Sequence, residues 1–175
     1  MSELSEIFPI QFIEGINDNE TLENRQTIEL LKYGIIAIAY KPKLSYCLTK
    51  LEIMIAHRLD TPSMKPMKAA LHPDYKDKPS KVIITEGETT PEGSETPFRL
   101  NSIWQEIELS PAILVNSKKY WISIDCNMEI HLVTARDGDI TALAYKEDDN
   151  WRQDTDYTEW KCMLRFYGRI LPVVI

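Results

Sequence analysis

The stretch KEDDNWRQDTDYTEW, residues 146–160, holds the densest set of side chains able to do chemistry. Asp148, Asp149, Asn150, Asp154 and Asp156 are hard oxygen donors of the kind calcium takes. Their spacing fits no EF-hand loop, and a solvated acidic loop between two strands is the plainer reading. No metal or other cofactor is therefore expected, with Asp148, Asp154 and Asp156 the acids closest to a calcium set. Trp151, Tyr157 and Trp160 lie among these acids. Planar aromatics stack on sugar rings while nearby carboxylates accept hydroxyl hydrogen bonds, which makes the three a candidate glycan site. The plainer alternative is that Trp160 opens a strand and fills the core while Trp151 caps one end.

Other chemistries find less support. His57, His72 and His131 are far apart, and no GxSxG, HExxH, phosphate-loop or dinucleotide fingerprint accompanies them. No catalytic residue is expected. The three cysteines, Cys47, Cys126 and Cys162, are an odd number, lie in apolar runs and lack CxxC spacing, so reduced, packed thiols are expected and thiolate zinc is not.

The net charge of -7 sets up a field that repels phosphate backbones and anionic lipid. Lys76, Lys78 and Lys81 form the densest basic group, but Asp74 and Asp77 interrupt it, as in a solvated loop. Neither nucleic acid nor a membrane is an expected partner. No stretch approaches the ~20 apolar residues of a membrane helix, and the acidic, proline-broken N-terminus does not fit a secretory signal. A soluble chain is expected.

These side chains must be positioned by strands. Leu51, Ile53 and Ile55 recur at every second position, as do Ile103, Gln105, Ile107 and Leu109, and Tyr120, Ile122, Ile124 and Cys126. That period places each set on one face of a sheet. The run IIAIAY after Gly34 stops at Lys41-Pro42, where proline ends a ladder. Residues 72–80 and 86–97, rich in proline, glycine and charge, read as loops. Asp137-Gly138 marks a tight hairpin joining IHLVTA to ITALAY. Residues 17–32 carry the only helical pattern, or else form a loop. The 175 residues thus divide into an N-terminal arm or short helix, 1–33, and an antiparallel all-β sandwich, 34–175.

Two features suggest contact with other proteins. Trp104 and Trp121 fall on the face opposite the aliphatic one, so they point outward, toward a partner, or beneath an arm or loop. The chain ends are also apolar: Phe8, Ile10 and Phe12 near the start, and Val173, Val174 and Ile175 at the finish. Such ends either pack on their own domain or add a strand to a neighbouring subunit.

Laid end to end, SYCLTKLEIMI, KAALHPDYKDKPSKVI, WQEIELSPAILVNSKKYWISID, NWRQ and KCMLRFYG resemble jelly-roll modules of the choice-of-anchor type, similar in shape to carbohydrate-binding modules. The likeness spans roughly residues 35–168. It implies a two-sheet antiparallel jelly roll, a fold that hosts ligand binding, adhesion and capsid building alike. The expectation is a non-catalytic structural or assembly subunit of a virus or phage particle: a capsid, decoration, tail or fibre protein, assembled in the host cytoplasm as a homo-oligomer or with other subunits. A carbohydrate-binding or adhesion module is the alternative.

Overall fold

Alternation of apolar and polar residues decides the architecture. In the computed structural model, which describes residues 8–16, 25–29, 35–57, 66–91, 101–126, 130–136, 143–153 and 160–171, every regular element is a strand. In chain order they are β1 (Gln11–Ile16), β2 (Arg25–Glu29), β3 (Ile35–Tyr40), β4 (Tyr46–His57), β5 (Met67–Tyr75), β6 (Lys78–Pro79) and β7 (Thr85–Thr89). There follow β8 (Asn101–Leu114), β9 (Tyr120–Cys126), β10 (Ile130–Arg136), β11 (Leu143–Glu147), β12 (Asn150–Gln153), β13 (Trp160–Cys162) and β14 (Leu164–Ile170). The first sheet runs β1-β14-β4-β10-β13, with β2 on β10 and β8 on β4. The second runs β12-β11-β3-β9-β5-β6, with β7 on β5. All pairings are antiparallel.

The two sheets share one core. Leu51, Ile53 and Ile55 of β4 and Ile107 and Leu109 of β8 meet Ile36 and Ile38 of β3, Leu71 of β5, and Ile122 and Ile124 of β9 in one buried cluster. The aliphatic alternation thus points inward as expected. The sheets also touch along a seam between β7 and β8. Thr85 Oγ1 donates to the Ser110 carbonyl at 2.5 Å, and Gln105 Nε2 donates to Thr89 Oγ1 at 3.2 Å. Gly87 permits this approach, because a Cβ there would collide with the Glu108 carbonyl. Cys162 is enclosed in the core, and burial pushes its thiol up to about 12; Cys47 is half-buried, and both are free thiols.

Several sequence expectations give way to strands. Residues 25–29, within the helical pattern, pair with β10, Ile28 lying opposite Leu132. Sheet pairing overrides a weak local periodicity. β1 is likewise a strand rather than a loose arm. It is fastened by Tyr40, whose hydroxyl donates to Glu14 Oε1 at 2.5 Å and lies 2.7 Å from the Tyr46 hydroxyl. Burial pushes both phenols well above their usual range, so they stay neutral hydrogen-bonding groups. The 72–80 segment is not a loop throughout, since β5 runs on to Tyr75 and returns as β6. In the 86–97 segment, β7 pairs with β5 through Thr89 opposite Met67, and residues 92–100 lie outside the described set.

The turn expected at Asp137-Gly138 lies outside the described residues; of the strands on either side of it, β10 belongs to the first sheet and β11 to the second. Tight two-residue turns are found among the described residues. Lys76 and Asp77 (φ 51° and 61°) join β5 to β6, and Asp148 and Asp149 (φ 48° and 64°) join β11 to β12. Positive φ at both central residues is the type I′ geometry that matches strand twist, and aspartate tolerates it better than most side chains.

Candidate functional site

The outer side of the second sheet has a floor of small residues: Ala37 and Ala39 of β3, Ala70 of β5, Ser123 of β9 and Ala144 of β11. Small side chains leave room above a sheet, and two tryptophans take part of it. Trp121 is fully buried with Ala37 and Ala144, and Trp151 and Ala39 pack against that cluster. Trp121 Nε1 donates to Asp74 Oδ1 at 2.7 Å, and Lys119 Nζ lies 5.0 Å from a ring centroid of Trp121. Trp121 therefore sits on the outward side of its strand but beneath its own chain. Trp104, on the first sheet, is half-buried under the Arg165 guanidinium, 3.9 Å from the ring centroid.

His72 stands beside this cluster. Its Nδ1 is 2.9 Å from the Ser80 carbonyl and its Nε2 is 2.8 Å from Ser123 Oγ. A carbonyl can only accept, so Nδ1 carries the proton and Nε2 accepts from the serine hydroxyl. Burial lowers the pKa of the ring, which keeps it neutral in this role. The pair has the contact of a serine nucleophile and its base. It nevertheless lies in the middle of a sheet, where Ser123 is flanked by Ala37 on one side and Ala70 on the other. Backbone donors there serve the ladders and are not free to hold an oxyanion. The arrangement works as a clamp that ties Ser80, and the segment after it, to the sheet.

Trp151 lies between two depressions and lines both. Its ring meets His72 edge-on, with centroids 6.1 Å apart at 71°. A hollow of about 240 Å³ includes His72, Ser123, Lys68, Glu86, Asp125 and Lys146 in its walls. A larger cleft of about 750 Å³ opens between the β5–β6 and β11–β12 hairpins, with Tyr75, Lys76, Lys78, Lys81, Asp149 and Arg152 around it. Tyr75 is 62% exposed there.

The structure thus places Trp151, one of the expected glycan trio, in a cleft. Trp160 opens β13 opposite Arg136, and Tyr157 lies outside the described residues. Asp148 is a turn residue, its place explained by its positive φ; Asp154 and Asp156 lie outside the described residues. Among the described residues no group of three or more His, Cys, Asp or Glu is placed to hold a metal, and no helix is long and apolar enough to cross a membrane. At the chain ends, Phe8 is half-buried while Ile10 and Phe12 are about half exposed, at 51% and 47%. Val173, Val174 and Ile175 lie outside the described residues. Sequence reading missed Tyr75 and the His72–Ser123 clamp, because neither has a local signature.

No family model matches the chain, and no curated protein matches it either.

Proposed function

We propose that the protein is a non-catalytic jelly-roll subunit that works by assembling with further copies of itself or with other subunits, as a component of a virus or phage particle. The observation that carries this reading is the apolar border of the first sheet. Among the described strands β1 is an edge, and it presents Phe12, with Ile10 just before it, to solvent. A groove of about 520 Å³ beside it joins Ile10 to Pro111 and Arg169, and Ile113 in the same β8 strand is 62% exposed. An open strand edge flanked by exposed apolar side chains is suited to strand addition or face packing by a second subunit. Sedimentation velocity over a wide concentration range tests the reading. Association is expected, and Phe12→Glu with Ile113→Glu weakens it; a monomer at every concentration sinks the proposal.

A second reading, a carbohydrate-binding or adhesion module, is favoured by Trp151 and Tyr75 at the cleft between the two hairpins. It uses the opposite sheet, so one chain can serve both roles.

A further inference from the structure

The charges of the segment HPDYKDKPSK alternate in sequence but separate in space. Its acids turn to one side: Asp74 accepts from Trp121 Nε1, and Lys119 Nζ lies 3.9 Å from Asp74 Oδ1 and 3.1 Å from Asp77 Oδ1. Its lysines turn to the other side, where Lys76, Lys78 and Lys81 line the cleft. The type I′ turn at Lys76 and Asp77 produces this separation, because it reverses the strand and sends neighbouring side chains to different faces. Lys76 Nζ lies 5.3 Å from the Tyr75 ring centroid, while Lys78 and Lys81 have no ion-pair partner among the described residues. Arg152 reaches the same cleft from β12, and Asp149 is the one acidic residue among the described residues that line it. On a chain of net charge -7, this is a local concentration of positive charge beside two aromatic rings.

We infer that this cleft binds an acidic saccharide, a short run of sugar rings bearing carboxylate or sulfate groups. The inference rests on the second reading above and names its ligand class. Ring faces stack on Trp151 and Tyr75, the anionic groups meet Lys78 and Lys81, and Asp149 accepts from a sugar hydroxyl. Charge-assisted hydrogen bonds supply the preference for acid over neutral rings. The whole-molecule field weakens the attraction for every polyanion, saccharide and RNA alike, and a nucleotide occupant is one outcome of the test.

Isothermal titration of the full chain, at low and moderate salt, tests this with five probes: tetragalacturonate, a heparin tetrasaccharide, a neutral galactose tetrasaccharide, sodium sulfate and a uridine tetramer. The expected result is that one of the acidic saccharides binds at least about tenfold tighter than the neutral one, and that binding weakens with salt. In the Lys78→Ala/Lys81→Ala variant that affinity falls about tenfold; both residues are exposed, so the fold is retained. Equal affinity for acidic and neutral rings overturns the inference but leaves the glycan reading standing. Absence of binding by every saccharide overturns both. Sulfate binding as tightly as the saccharides, or the uridine tetramer binding more tightly, also overturns the inference, leaving a simple anion site or a nucleotide site respectively.

Discussion

The outer faces of the two sheets are built on opposite plans. On the first sheet, long side chains lie across one another: Lys50 Nζ is 3.1 Å from Glu106 Oε2 and 4.3 Å from the Tyr167 ring centroid, and Arg165 covers Trp104. Such residues use their aliphatic stems to shield the sheet while their charged ends stay wet. On the second sheet, alanine and serine leave the surface low, so a loop segment and two tryptophans must cover it. The self-covering surface of the first sheet is left with the groove of about 520 Å³ beside β1. A surface covered from elsewhere acquires walls, and both depressions that meet at Trp151 arise in this way.

The largest expected effect comes from removing the cover of the second sheet. Trp121→Ala empties a fully buried site and is expected to cost ~3–5 kcal/mol in urea denaturation. Trp104→Ala on the first sheet, which loses a half-exposed ring and one cation–π contact, is expected to cost about 1 kcal/mol. Equal losses would break the contrast between the two faces.

A smaller effect follows from the clamp. His72 is held below the usual histidine pKa of 6.5 by burial, so in acid the unfolded chain takes up a proton that the folded chain resists. Stability is then full above the unfolded-state value and declines as pH falls from about 6.5 through the lower folded-state pKa. His72→Gln is expected to lose ~1–3 kcal/mol at neutral pH and to have a flatter pH dependence than the parent, measured as denaturation midpoints from about pH 5 to about pH 7.5. A variant that keeps the parent's slope would show that the clamp does not titrate. The smallest effect belongs to Lys50→Ala, at most ~1 kcal/mol and fading with added salt, since its ion pair with Glu106 is partly exposed.

The core was legible because its signal is repeated locally: the alternating positions of β4, β8 and β9 carry Leu51, Ile53, Ile107, Ile122 and Ile124 into the interior. Alternation also placed Trp121 on the outward side, but not what lay over it. That depends on Asp74, 47 residues away in sequence. The Asp137-Gly138 signal carried no sign that β10 and β11, the strands on either side, belong to different sheets. Asp148 and Asp149, two of the acids with the donor chemistry of calcium ligands, occupy a turn at positive φ, a backbone state that local patterning does not reveal. In the lysine segment the linear order hid the site, because charges that cancel along the chain face different ways in the hairpin. What sequence patterns report well is which face a residue occupies; the neighbour across that face is set by pairings between distant strands.

The position of β14 between β1 and β4 carries a consequence for biosynthesis. A ribosome delivers β1 first among the described strands and β14 last, yet β14 is the strand with which β1 pairs. Phe166 on β14 also stacks on Tyr40 of β3, with ring centroids 3.9 Å apart. Until residues 164–170 emerge, the growing chain must carry an unpaired strand and an uncovered flank of β4. Long-range pairings of this kind are slow to form and leave sticky edges in the meantime. Among the described strands the pairing of β1 must therefore wait for β14, and a nascent chain stalled short of that point is a candidate for capture by chaperones or by its own kind.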